Sequence, residues 1–162
     1  MKLPRIIPVL LLDGNSLVKT KRFRSPKYVG DPINIVKIFN EKKVDEIVLL
    51  DISKSYNMPQ FKLIESIAGE CFIPLAYGGK IRDLDTASKI FELGFEKVIL
   101  NTSFFDNPNL IRDISNKYGS QSVILSIDIK KNWRNKFKIY NHKSIVNKKD
   151  LKIKDIIKKA QD

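Results

Sequence analysis

Short apolar runs alternate with longer amphipathic stretches along this chain. Residues 5–12, 46–51, 72–77, 97–101 and 122–128 are rich in Ile, Val, Leu and Phe. Runs of that length, bounded by polar residues or glycine, predict strands; residues 5–12 are almost continuously apolar, as in a strand buried on both faces. Helical patterns lie between them. Asp31-Pro32 opens one, with Asp as the cap and Pro at the first helical position. Ile33, Val36, Ile38 and Phe39 supply its apolar face. A second helix is predicted near residues 59–70. Asp83 caps a third, which stops at Leu93-Gly94 because Gly accepts the left-handed turn that ends a helix. Asn107-Pro108 starts a fourth that runs through Tyr118-Gly119. Residues 13–30, with Lys19, Lys21, Arg22, Arg24 and Lys27, read as a long polar loop. Residues 137–140 and 144–146 predict a small hairpin, and residues 151–160 the start of a fifth helix.

Strand and helix in alternation predict an α/β fold with a parallel sheet. An internal repeat supports this. Asp31-Pro32-Ile33 and Asn107-Pro108-Asn109 lie 76 residues apart, and Leu50-Asp51-Ile52 and Ile127-Asp128-Ile129 lie 77 apart. Matching helix starts and strand ends suggest a duplicated βαβα unit. The polar residues Asp51, Gly78-Gly79 and Asp128 then close strands at their C-terminal ends, where α/β barrels carry out their chemistry. The expected architecture is a partial (βα)8 barrel, with parallel strands one to five in sequential order. A full barrel needs about 250 residues and eight strands, so residues 1–162 are expected to form one incomplete barrel domain.

Composition narrows the class. Hydrophobic residues make up 43% of the chain, and no apolar run approaches the ~18 residues of a membrane span. The N-terminal run leads into Asp13-Gly14 without a small-residue cleavage pattern, as in a buried strand rather than a signal peptide. Cys71 is the one cysteine, which excludes a disulfide framework or thiolate metal site and fits a reducing, cytoplasmic setting. No metal or cofactor is expected, and His142 reads as a surface residue. The net charge of +12 is uneven: residues 130–162 carry 12 basic and 3 acidic side chains, whereas residues 1–129 carry 18 and 15. This basic tail holds the predicted hairpin and last helix. Lys outnumbers Arg by 24 to 6, and dedicated phosphate readers use more Arg forks. Nucleic acid is therefore not the expected partner.

Arg5-Ile6-Ile7-Pro8, Val18-Lys19, Gly30-Asp31-Pro32, Asp45-Glu46-Ile47-Val48-Leu49-Leu50-Asp51, Gly78-Gly79, Lys97-Val98, Asn101-Thr102 and Gly119-Ser120-Gln121 occur in that order. The set resembles the cyclase subunit of imidazole glycerol phosphate synthase, a phosphate-binding (βα)8 barrel of histidine biosynthesis. The resemblance implies a lyase that takes ammonia from a glutaminase subunit. It would use that ammonia to form imidazole glycerol phosphate and AICAR from a ribulosyl phosphate intermediate, impaired here by the absence of strands six to eight. Pro26-Lys27-Tyr28-Val29-Gly30-Asp31-Pro32-Ile33-Asn34, Glu70-Cys71-Phe72 and Leu10-Leu11-Leu12 also resemble paralogues that accompany amidation of surface-polysaccharide sugars. A non-catalytic half-barrel that assembles with a second half, with itself or with a glutaminase is the third reading. Open strand edges would drive such pairing.

Residue roles follow from the resemblance. The family works with two carboxylates, because two proton transfers on one substrate need groups in different protonation states. Asp128 matches one. Leu11 stands at the position of the other, and Asp13 replaces it only if the strand end shifts by two residues. Gly78, Gly79, Asn101 and Thr102 match a phosphate site; Lys80 stands where the family has a third Gly, and is expected either to add a phosphate contact or to fill the pocket with its side chain. The alternative for the Gly pair is an ordinary tight turn. Lys19 matches a lysine of the mobile first loop, and Asp51 a strand-end carboxylate facing the substrate; a solvated lysine and a capping carboxylate are the plain alternatives. Arg5, Glu46 and Lys97 match a charged ring that gates ammonia, or else are simple salt bridges.

Overall fold

The computed structural model describes residues 4–21, 24–131, 133, 135, 137–139 and 153–161. The chain divides into two compact units, Met1–Val98 and Ile99–Asp162.

The first unit is built around a parallel sheet. It contains β1 (Val9–Asp13), β2 (Ser16–Lys21), β3 (Arg24–Gly30), α1 (Pro32–Lys42), β4 (Ile47–Asp51), α2 (Phe61–Gly69), β5 (Leu75–Gly78) and α3 (Leu84–Glu92). β1 and β4 run parallel from Val9 opposite Val48 to Leu12 opposite Asp51. β4 and β5 run parallel from Ile47 opposite Leu75 to Leu50 opposite Gly78. The sequential order expected of a barrel is thus present, and the sheet is open, with β3 as its first strand. Alternation sets the core. Leu12, Ile47, Leu49 and Tyr77 are fully buried, as are Val36 of α1, Ile64 and Ile67 of α2, and Ala87 and Ile90 of α3.

The helices start where the caps predict. Asp31 Oδ1 accepts the Asn34 N–H at 2.9 Å, and Asp83 Oδ1 accepts the Thr86 N–H at 2.7 Å. α1 ends at Lys43, which adopts a left-handed φ of 52°. Gly94, at φ 95°, follows α3.

Residues 13–30 correct the sequence expectation. They do not form a loop: β2 pairs antiparallel with the end of β1, and β3 pairs antiparallel with β2. Among the described residues of this hairpin only Leu17 is buried. Four cations on exposed positions, Lys19, Lys21, Arg24 and Lys27, hid its period-two pattern. Strand one also ends later than expected, at Asp13 rather than residue 12.

β6 (Lys97–Leu100) crosses the division between the units. The second unit continues with α4 (Thr102–Asp106), α5 (Asn109–Tyr118), β7 (Val123–Leu125), β8 (Ile129–Lys131), β9 (Phe137–Ile139) and α6 (Ile153–Gln161). The Ser126 N–H donates to the Leu100 carbonyl at 2.8 Å, which places the end of β7 beside the end of β6. Leu100, Phe104, Leu110, Ile114 and Ile156 are buried. Two expectations shift here. The strand at 137–139 pairs antiparallel with Ile129–Lys131; residues 144–146, its expected partner, lie outside the described residues, as does His142. The short α4 was not expected. Among the described residues no helix is long and apolar enough to cross a membrane.

Candidate functional site

Asp51 ends β4 on the same face as Ile47 and Leu49, and it is buried with them. A carboxylate in that position must be paired or hydrogen-bonded. Asp51 Oδ1 accepts the Ser53 N–H at 2.9 Å and the Ser53 hydroxyl at 2.7 Å. Its Oδ2 accepts the Tyr77 hydroxyl at 3.1 Å, and the Lys80 ammonium pairs with Oδ1. Ser53 Oγ in turn accepts the Gly14 N–H at 2.8 Å, and Gln60 Nε2 donates to the Gly14 carbonyl at 3.1 Å. Asp51 therefore joins the end of β4, the loop after it, the end of β5 and the β1–β2 turn. Burial, and then the Asp51 charge, push the Tyr77 hydroxyl well above the usual tyrosine range.

Gly78 is the last residue of β5, and Gly79 follows at φ 114°. A Cβ on Gly79 would collide with the Asp51 carbonyl oxygen. Glycine is thus required twice over, for its dihedral and for this close approach. Lys80 comes next with a left-handed φ of 60°.

Asn101 and Thr102 follow the C-terminal end of β6 and open α4. Asn101 Nδ2 donates to Asp128 Oδ2 at 3.0 Å. Asp128 is half-buried, three residues beyond β7. The amide fixes one oxygen of the carboxylate, and a reacting group could meet the other. Asp13 closes β1 opposite Ser16, on the same strand face as Leu11 two residues earlier, and both are half-buried. Lys19 lies exposed within β2, opposite Lys27, rather than on a loop.

Glu46 precedes β4, at the opposite end from Asp51. It is buried and holds two cations: Arg5 Nη2 at 3.0 Å and Lys97 Nζ at 2.6 Å. These three form one ionic cluster at the N-terminal ends of the strands.

The structure adds Ser53 and Tyr77 to the residues singled out in the sequence. Ser53 had a readable signal, since an Asp two residues before a Ser commonly accepts its backbone N–H. Tyr77 had none, because a tyrosine closing an apolar strand reads as core.

Comparison with known proteins places this architecture. Over 129 residues the chain is 56% identical to a Pseudomonas aeruginosa protein named "Putative imidazole glycerol phosphate synthase subunit hisF2", covering 78% of this chain and 51% of that one. It is 52% identical over 130 residues to "Putative imidazole glycerol phosphate synthase subunit HisF" of Leptospira borgpetersenii, covering 79% and 51%. It is 37% identical over 138 residues to "Imidazole glycerol phosphate synthase subunit HisF" of Helicobacter hepaticus, covering 84% and 55%. The chain thus spans about half the length of these curated relatives. The family model described as histidine biosynthesis protein matches residues 5–162, and the parallel strands carry their polar residues at the ends such a barrel uses, so this chain belongs to the histidine biosynthesis protein family.

Proposed function

We propose that this chain acts as the ammonia-using cyclase component of an imidazole glycerol phosphate synthase, in the cytoplasm and with a glutaminase partner. The observation that carries the reading is the Asn101–Asp128 hydrogen bond, which holds a carboxylate in a fixed orientation just beyond a strand end. Asp128 serves as one of the two proton-transfer groups. Asp13, at the end of β1, is the candidate for the second. The phosphate-binding residues are those that match the family's site: the Gly78 and Gly79 amides in the first unit, where glycine backbone suits an anion, and Asn101 and Thr102 in the second. Lys19 contributes a contact from β2. At the far end, Arg5, Glu46 and Lys97 form the ammonia entrance and face the glutaminase.

The test is ammonium-dependent release of AICAR from the ribulosyl phosphate intermediate. The chain is assayed alone and with the C-terminal half of a relative supplied as a second polypeptide. Turnover that falls at least about a hundredfold in Asp128→Asn supports the reading. No turnover in either arrangement overturns it. Leu11, on the face shared with Asp13, favours a second reading, amidation of a surface-polysaccharide sugar. Ammonia incorporated into a sugar, with no imidazole product, would select it. Exposed Ile6, Ile7 and Val9 favour a third, a half-barrel that assembles with another half; a monomer at high concentration in sedimentation removes that reading.

A further inference from the structure

Lys80 stands in an unfavourable place for a lysine. Its φ of 60° is a left-handed conformation that costs a non-glycine residue about 1 kcal/mol. Its side chain is 9% exposed and that of Asp51 is 0% exposed. Burying an ammonium is costly unless a partner of opposite charge meets it. Lys80 Nζ is buried without a hydrogen-bond partner, and among the described residues the one opposite charge it meets is the Asp51 carboxylate. A turn alone would be better served by glycine, so this pairing needs a reason of its own.

Geometry supplies one. The Lys80 side chain folds back onto Asp51 instead of reaching outward. Gly79, directly before it, packs on the Asp51 backbone with no room for a Cβ. Asp51 itself is fixed by Ser53 and Tyr77. The turn after β5 is thus fastened to the end of β4 by backbone contact at Gly79 and by an ion pair one residue later.

We propose that Lys80 is a positioning residue: its ammonium, buried against Asp51, clamps the turn after β5 and holds the Gly78 and Gly79 amides in the geometry that binds phosphate. The inference rests on the phosphate reading above, and it differs from a direct contact between Lys80 and the phosphate. The two roles have opposite signatures. If Lys80 contacted the anion, Asp51→Asn would free its charge and strengthen binding. As a clamp, it loses its anchor in Asp51→Asn, and binding weakens although a negative charge has been removed.

The experiment is an NMR titration of the whole chain with glycerol 3-phosphate, read at the Gly78, Gly79 and Thr102 amides, together with amide hydrogen exchange. Lys80→Met, Lys80→Gly, Lys80→Arg and Asp51→Asn are compared with the unaltered protein. Lys80→Gly relieves the left-handed strain and so keeps a folded variant available. Expected are a loss of affinity of about tenfold in Lys80→Met, Lys80→Gly and Asp51→Asn, partial recovery in Lys80→Arg, and faster exchange at Gly79. The double variant Lys80→Met/Asp51→Asn should be no weaker than either single one. Tighter binding by Asp51→Asn, or unchanged affinity in Lys80→Gly, overturns the clamp. If the unaltered protein shows no phosphate shifts, the phosphate reading fails. The clamp's structural part then stands or falls on Gly79 exchange in Lys80→Gly.

Discussion

The Glu46 cluster lets charge, burial and stability be compared within one site. The Glu46 side chain is 3% exposed; its partners differ, Lys97 at 24% and Arg5 at 56%. An exposed pair contributes about 0–1 kcal/mol. Removing one partner from a buried pair costs about 3–5 kcal/mol, because the remaining charge stays buried and unmatched. Arg5→Met should therefore cost less than about 1 kcal/mol. Lys97→Met, between the two limits, should cost about 2 kcal/mol. Glu46→Gln should cost the most, about 3 kcal/mol, since it leaves two cations facing each other. For a chain of this size about 1 kcal/mol moves Tm by roughly 2–4 °C, so Lys97→Met should melt about 4–8 °C lower. Urea unfolding followed by circular dichroism, at low and at high salt, gives the order directly. Screening at high salt should erase the Arg5 effect and leave most of the Lys97 effect. The reasoning fails if Arg5→Met costs as much as Lys97→Met, or if Glu46→Gln is neutral.

Other expectations follow from single contacts. Tyr77 is held neutral by burial and by the Asp51 charge. Its unfolded form ionises near pH 10, so stability should be flat below that pH and fall above it; Tyr77→Phe should soften this alkaline decline and cost about 1–2 kcal/mol at neutral pH in urea melts. The Thr86 N–H holds the Asp83 carboxyl below its ordinary range. The contribution of Asp83 is therefore present above about pH 4 and lost as pH falls through its lowered value. Asp83→Ala should cost about 1 kcal/mol at pH 7 and nothing further in strong acid. Gly79→Ala should destabilise by about 3 kcal/mol or more, because the methyl group meets backbone. Lys43→Gly, at a left-handed position that ends α1, should raise Tm by a degree or two.

What could be read from the sequence depended on how local the signal was. The caps Asp31 and Asp83 and the stop at Gly94 act within one turn, and each appears where its residues stand. The parallel strands were legible because an apolar run between two helices has few other fates. Facing was not. Ile47-Val48-Leu49-Leu50 is apolar on both sides, so nothing in the letters says whether Asp51 turns toward solvent or inward. Its burial is decided by Ser53, Tyr77 and Lys80, which lie 2, 26 and 29 residues away in the sequence. The direction of Lys80 is similarly a tertiary property. The β2–β3 hairpin was hidden because charge dominates a segment whose one buried anchor, among the described residues, is Leu17. The position of Asp13 turned on a strand end, the least certain boundary in any sequence reading.

The hairpin has a consequence for how this sheet can be extended. β2 occupies the outer side of β1 from Leu11 to Asp13, so among the described residues the main-chain groups without a strand partner on that side begin before Leu11. Beyond it, β3 offers poor company to a foreign strand. Pro26 lacks a donor, Arg24 and Lys27 repel another cationic edge, and two register shifts skew its pairing with β2. A newcomer alongside β1 is admitted at one end, that of Arg5 and Glu46, and halted where the hairpin starts. The same eighteen residues that looked like slack between a strand and a helix therefore act as a gauge, setting both the entry point and the length of any added strand.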